Sequence, residues 1–409
     1  MRHNRSMDVL PQGAAPAPEA SLAEAVWAGK TLAGFLLSGF LMALPGAILP
    51  VWGFYRDPPA FALVGNYFLS LAGGMLVSVF LARRLLAKRD LGSVLVLACC
   101  LAGASLVSLA LVSPLASPSW RTAGLLILGL GAGLFNFSLF YGLPASCSKN
   151  PAAAVNRGGI WYGLGCLAAS LVAALTLGAF SAGIITLFMA IVPILFALLY
   201  ARGVLLGPRL TAALLEPRPN SGHFPVLGAT LFTLLLFVQF GNEWSIAGWL
   251  PLFLIRRIGF SPAAALRTLA LYWLFLLLGR LIVVAALPRV HHSVLLGASV
   301  IAALFGCLLL YFTNNGFGAT SGVLLVGSGY ASVYPLVAEA IGHRFSFYHA
   351  AFFGRIFSLA TLGGLLAPAA IGYAAANFGV GAVIGIPLAG TCLVLMLIVC
   401  ISLESRFAV

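Results

Sequence analysis

Apolar positions along this chain do not alternate with polar ones. They gather into twelve long runs separated by short polar breaks. The runs predict helices over Leu32–Trp52, Phe61–Leu81, Gly92–Val112, Thr122–Leu143, Ala154–Leu177 and Gly183–Leu205. After a polar stretch they resume over Phe224–Leu254, Ala263–Leu287, Val294–Phe312, Gly318–Ile341, Phe347–Ala376 and Val380–Ser402. Each is long enough to cross a hydrocarbon core of about 30 Å, which takes about 20 residues as helix. Runs of this length exclude an outer-membrane barrel, whose strands alternate over about 10 residues.

Composition agrees. Hydrophobic residues are 62% of the 409 and charged residues 8%, and mean hydropathy is +1.08. A soluble domain carries about 25% charged residues, so this chain cannot coat a water-exposed surface and reads as an integral membrane protein. Its formal charge of +13 would suggest nucleic acid in a soluble protein, but the bases here sit between apolar runs. Sixteen fall in the tails and loops of one face and five in those of the other, with Arg355 inside a run. That bias predicts cytoplasmic termini in a multi-pass inner or plasma membrane, and no nucleic-acid partner. Residues 1–27, polar and rich in Ala and Pro, read as a disordered cytoplasmic tail. The seven cysteines form no Cys-x-x-Cys pair and read as small buried hydrophobes. No His, Cys or carboxylate cluster suggests a metal or cofactor.

The polar stretch over 207–223 divides the chain into a bundle over 28–206 and a bundle over 224–409, and the halves repeat. Leu126-Ile127-Leu128-Gly129-Leu130-Gly131 matches Leu324-Leu325-Val326-Gly327-Ser328-Gly329 at an offset of 198. The same offset carries Arg157 onto Arg355, Gly165 onto Gly363 and Asn136 onto Tyr334. Leu49-Pro50-Val51-Trp52 meets Leu250-Pro251-Leu252-Phe253 at 201. The expected fold is all-α: twelve transmembrane helices as two pseudo-symmetric six-helix bundles, the build of many secondary transporters. Glycine-rich Gly129-x-Gly131-x-Gly133 and Gly327-x-Gly329 lie within these helices, so they predict close helix packing rather than phosphate binding.

Only 9 residues are Asp or Glu. One of them, Glu243, follows an apolar run in the seventh helix, where a carboxylate costs about 2.5–3.5 kcal/mol or more without a partner or water. It is the first candidate for solute binding or proton coupling, with Gln239 one turn away and Asn242 and Trp244 beside it. A structural acid pinning a helix break near Gly241 and Gly248 is the alternative. Asn136, Tyr141, Trp161, Tyr162, Tyr272, Trp273, Tyr330 and Tyr334 are polar or amphipathic groups within spans, suited either to a pocket or to helix packing. Arg355 and Arg157 lie toward the cytoplasmic ends of the eleventh and fifth helices, as anion-binding or gating groups or as bases snorkelling to the interface.

Several strings resemble the major facilitator superfamily, and within it the fucose:proton symporter and sugar-porter-like branch. They are Gly241-Asn242-Glu243-Trp244-Ser245-Ile246-Ala247-Gly248-Trp249-Leu250-Pro251, Tyr272-Trp273-Leu274-Phe275 with Gly279-Arg280-Leu281, Gly329-Tyr330-Ala331-Ser332-Val333-Tyr334-Pro335, and Gly363-Gly364-Leu365-Leu366-Ala367-Pro368. The resemblance implies alternating access, a sugar-like solute, and a charge latch between Arg280 and Glu339 near the cytoplasmic ends of helices eight and ten. The chain also departs from the family. Arg83-Arg84-Leu85-Leu86-Ala87-Lys88-Arg89 lacks the Asp that normally precedes those bases, and neither helix one nor mid-helix four carries the acid that sugar symporters use there. Glu243 is left as the main coupling candidate.

The expectation is therefore a monomeric secondary active transporter for a small polar solute, with a proton as candidate coupling ion and no cofactor. The alternatives are an exporter of amphipathic or drug-like compounds, or a non-transporting sensor on the same fold. A membrane enzyme would need paired acids, a His-rich set or a Ser–base pair, and the spans hold none.

Overall fold

The computed structural model describes residues 22–56, 60–112, 117–146, 151–204, 226–286, 289–344 and 350–407. Its first six helices are α1 (Leu22–Val51), α2 (Phe61–Leu86), α3 (Leu91–Val112), α4 (Pro118–Ser146), α5 (Pro151–Thr176) and α6 (Ala182–Val204). The second six are α7 (Val226–Phe253), α8 (Pro262–Ala286), α9 (His292–Phe312), α10 (Gly316–Arg344), α11 (Ala350–Phe378) and α12 (Ala382–Phe407). All twelve are long and apolar enough to cross a membrane. In lipid every backbone polar group must be satisfied within its own segment, which is why apolar runs of this length fold as helices. Helix α1 begins at Leu22, so Leu22–Trp27 is helical rather than part of a disordered tail. The linker over 207–223 lies outside the described residues.

The repeat read from the glycines is a packing repeat. A Cβ at Gly129 would run into the Leu71 carbonyl of α2, and one at Gly327 would stand 2.7 Å from the Tyr272 carbonyl of α8. Gly131 closes on Ala98 and Ala102 of α3, and Gly329 on Ser299 and Ala303 of α9. Gly165 meets the Leu36 carbonyl of α1, and Gly363 the Phe237 carbonyl of α7. In each pair the glycines differ by 198 and their partners by 201. The two halves are thus built on one frame, with small residues letting backbones touch where apolar attraction alone would not join helices in lipid.

With twelve helices running alternately up and down, the start of α1 and the end of α12 lie on one face. At the opposite, far face the two bundles are closed against each other. Gly65 of α2 and Gly372 of α11 abut, Gly46 of α1 abuts the Ala247 carbonyl of α7, and the Tyr373 hydroxyl donates to the Asn66 side-chain oxygen. Helix α7 runs on into a π-helical turn, Leu254–Ile258, that ends at Gly259 with φ +81°. There Arg256 Nη1 donates to the Tyr55 carbonyl across the bundle boundary at 3.2 Å.

Of the described cysteines, Cys99, Cys166 and Cys307 are buried, whereas Cys100, Cys392 and Cys400 lie on the outer surface. The buried-hydrophobe reading therefore fits only the first three. The others are on helix faces turned away from the bundle, where a small apolar residue is equally at home.

Candidate functional site

Glu243 lies on α7 with 4% of its surface exposed, and α7 is continuous from Val226 to Phe253. No helix break occurs at Gly241 or Gly248, so the acid does not serve to pin one. Successive residues of α7 fan out to different neighbours, as a period of 3.6 requires. Gly241 faces Gly363 and Ala367 of α11, and Asn242 turns its side-chain amide onto Gly390 of α12. Trp244 lies over Gly364 of α11, and Ala247 meets α1. Glu243 is directed at α8, where Arg280 Nη2 stands 3.8 Å from its Oε1.

Arg280 is equally buried and makes a second attachment. Its Nη1 donates to the Gly159 carbonyl of α5, in the other half, at 2.8 Å. One guanidinium thus joins a carboxylate of its own bundle to the backbone of the opposite bundle. An unpaired charge is costly this deep, and the pair relieves that cost only while both partners stay in place. Tyr272 adds a long hydrogen bond from its hydroxyl to the Glu243 carbonyl, 3.5 Å.

This geometry corrects the expected latch between Arg280 and Glu339. Glu339 stands 3.7 Å from His292 Nε2, at the N-terminus of α9 and half-exposed. Arg280 of α8 is instead held by α7 and α5.

A cavity of about 30 Å³, room for one or two waters, lies between the bundles. Both halves line it. Phe68 of α2 and Tyr162 of α5 face Trp244 of α7 and Trp273 of α8, with Met42 and Leu365 between. Its thirteen lining residues include no charged or amide side chain. Of the sequence candidates, Trp244, Tyr162 and Trp273 reach this cavity; the other candidates with described side chains do not line it. The Ser38 hydroxyl donates to Asn136 Oδ1 inside the first bundle. Tyr334 stacks on Phe240 at 5.4 Å inside the second. Tyr272 and Tyr330 are fully buried within the second half, and Trp161 is 40% exposed on the outer surface. Gln239 is 1% exposed, and neither amide atom has a hydrogen-bond partner among the described residues. Tyr141, Arg157 and Arg355 lie on α4, α5 and α11, and their side chains fall outside the described set.

Phe68 was missed as a wall of this cavity, and so was the reach of Arg280 to α5. Phe68 sits one turn from Gly65, which abuts Gly372 of α11, a signal that only the helix partners make readable.

The twelve-helix frame has counterparts among solved transporters. A D-xylose–proton symporter superposes with a TM-score of 0.71, covering 92% of this chain and 97% of that one. The chain has the major facilitator fold. A nucleoside transporter superposes with a TM-score of 0.65 over 93% and 98% of the two chains, and the Escherichia coli fucose:proton symporter with 0.59 over 93% and 99%. Each of these three is 14% identical, so the likeness is one of fold. In sequence, 155 residues are 32% identical to an uncharacterized transporter of the major facilitator type from Yersinia pestis. That match spans 37% of this chain and 40% of the relative. No family profile matches the chain. On the major facilitator fold, the site described above occupies the boundary across which the two bundles face each other.

Proposed function

We propose that this protein is a secondary active transporter of the major facilitator superfamily, working by alternating access on a small organic solute. One observation carries the reading. Arg280 is held by Glu243 within its own bundle and by the Gly159 carbonyl of the other, beside a cavity that both bundles line. Rocking one bundle against the other breaks the Arg280–Gly159 contact and can leave the Arg280–Glu243 pair intact. Protonation of Glu243 removes the negative partner and leaves a buried guanidinium held by the opposite bundle alone. Solvation of Arg280 then favours a state that opens it to water. This supplies a route for proton coupling in a chain without acids in helix one or mid-helix four. With the buried Arg280 set aside, the bases still divide fifteen to five in favour of the face of the termini, which supports cytoplasmic termini, so the closed far face would be extracytoplasmic.

The sugar-like solute implied by the resemblance fits the symporter neighbours. An amphipathic or drug-like solute is the second reading, favoured by the apolar, aromatic walls of the cavity.

Spin labels at Leu69 of α2 and Phe378 of α11 test the carrier reading without knowledge of the solute. Both side chains are exposed, 45% and 84%, on helices that meet across the boundary. With the surface cysteines replaced by serine, the label distance should show two populations whose ratio changes between acid and neutral pH. Glu243→Gln should abolish that change. A single population indifferent to pH in the native protein rejects alternating access coupled through Glu243.

A further inference from the structure

Two of the four aromatic walls rest on bare backbone. A Cβ at Gly248 would stand 2.7 Å from Phe68 Cζ, and one at Gly364 would stand 3.0 Å from the indole of Trp244. Glycine lets the tip of the Phe68 ring close on α7 and the Trp244 indole lie against α11, while both rings still line the cavity. Tyr162 and Trp273 add two further rings, so aromatic surface comes from both halves. Trp273 is 2% exposed, and its indole Nε1 has no hydrogen-bond partner among the described residues. A buried donor left unpaired is rare and points to a missing acceptor. The nearest charges, Glu243 and Arg280, are committed to each other and to the backbone and do not line the cavity.

We propose that this cavity binds an uncharged, planar heteroaromatic solute carrying a hydrogen-bond acceptor for the Trp273 indole N–H. The inference rests on the carrier reading above and narrows its substrate class. Ring faces stack best on ring faces, in offset or edge-on geometry. An uncharged ring meets no unpaired charge on the walls. A polyhydroxylated sugar could stack one face, but its hydroxyls would find no amide or carboxylate here. Each hydroxyl left unpaired weakens binding roughly fivefold to a hundredfold. The cavity is closed down to water size in this conformation, so the solute would be admitted when the bundles part and clasped when the rings return.

Equilibrium dialysis of the protein in lipid nanodiscs against empty nanodiscs tests this with three probes. Quinoline is planar, carries one ring-nitrogen acceptor and is uncharged at the neutral pH of the assay. Naphthalene has the same shape without the acceptor, and D-xylose represents the sugars. Quinoline should bind in excess of lipid partitioning, about fivefold more tightly than naphthalene, as one net hydrogen bond provides. D-xylose should bind at least tenfold more weakly than quinoline. Trp273→Phe should bring the quinoline-to-naphthalene ratio to about one while naphthalene binding persists. D-xylose binding tighter than quinoline, or no binding of either ring, overturns the proposal. So does a ratio unchanged in Trp273→Phe. If that variant fails to fold, equal binding of quinoline and naphthalene by the native protein overturns the donor assignment. Label distances between 69 and 378 on the same preparation separate the two failures: motion without ring binding leaves the carrier standing and removes only the substrate class.

Discussion

At position 42 the first half carries a methionine where the second half, 201 residues on, carries Glu243. At position 79 it carries a valine where the second carries Arg280. The glycine contacts around these positions correspond, pair by pair, between the halves. The frame is therefore common, and the buried charge belongs to one half only. A shared frame fixes where helices cross. It leaves side chains free to differ wherever they do not touch a crossing point, and an asymmetric charge on a symmetric scaffold gives one bundle something to hold the other with. Met42 borders the cavity, while Glu243 reaches past it to Arg280, so the same helix address serves packing in one half and electrostatics in the other.

The largest expected effect comes from breaking that asymmetry on one side. Glu243→Ala leaves Arg280 charged and buried, and should destabilise the detergent-solubilised protein by about 3–5 kcal/mol, as loss of one partner of a buried pair does. Met42→Ala, at the equivalent address, should cost no more than about 2 kcal/mol, the low end for such truncations, because it borders an existing cavity. The double change Glu243→Met with Arg280→Val copies the first half into the second. It should recover most of the stability lost by Glu243→Ala, since a well-packed apolar pair often equals a buried ion pair. Thermal melting curves of the three variants provide the comparison. A double variant no more stable than Glu243→Ala would mean that the two residues are not energetically coupled. The same double variant should lose the pH-dependent change in label distance while keeping its fold, which separates the pair's mechanical role from its contribution to stability.

A second, smaller effect tests the shared frame itself. An alanine at Gly129 would drive its Cβ into Leu71 backbone on three atoms, whereas one at Gly327 would press chiefly on the Tyr272 carbonyl at 2.7 Å. Overpacking of a tight contact costs about 1–3 kcal/mol. Gly129→Ala should fall at the upper end and Gly327→Ala at the lower, measured by the same melts. Equal costs, or the reverse order, would show that the second half is packed as tightly as the first at this crossing.

The sequence made the frame readable because run length and a repeated offset are one-dimensional signals. Helix α3 spans Leu91–Val112 where the apolar run predicted Gly92–Val112, and α8 spans Pro262–Ala286 where it predicted Ala263–Leu287. The start of α1 was less legible: Leu22–Trp27 carries acid and small residues that read as tail, yet it continues the helix. Glu243 stood out because a lone acid in an apolar run is expensive wherever it points. Its partner did not stand out. Whether Arg280 meets Glu339 or Glu243 depends on the azimuth of α8, and a span that is apolar nearly all round does not encode azimuth in its periodicity. Asn242 shows the same limit. It adjoins Glu243 in sequence, but about 100° of helical rotation places it against Gly390 of α12, inside the bundle. The aromatic walls were legible as residue types and not as a set, because four helices from two halves must be placed before their rings converge.

The smallest effect expected is at the far face, and it bears on how the halves are held rather than how they are built. Tyr373→Phe deletes the hydroxyl that donates to Asn66 across the boundary. Tyr373 is 43% exposed, so the Asn66 amide can turn to water, and global stability should fall by less than about 1 kcal/mol. That energy is nevertheless on the scale that separates two conformers: about 1 kcal/mol shifts their ratio roughly fivefold. Spin labels at 69 and 378 should therefore report a larger far-face-open population in Tyr373→Phe, by up to about fivefold, with an almost unchanged melting temperature. Arg256→Ala, which removes the tie to the Tyr55 carbonyl, should move the ratio in the same direction. If either substitution lowered the melting temperature as much as Glu243→Ala does, the far-face contacts would be structural supports of the fold. At this face, the common frame and the contacts that only one conformer makes would then be one and the same.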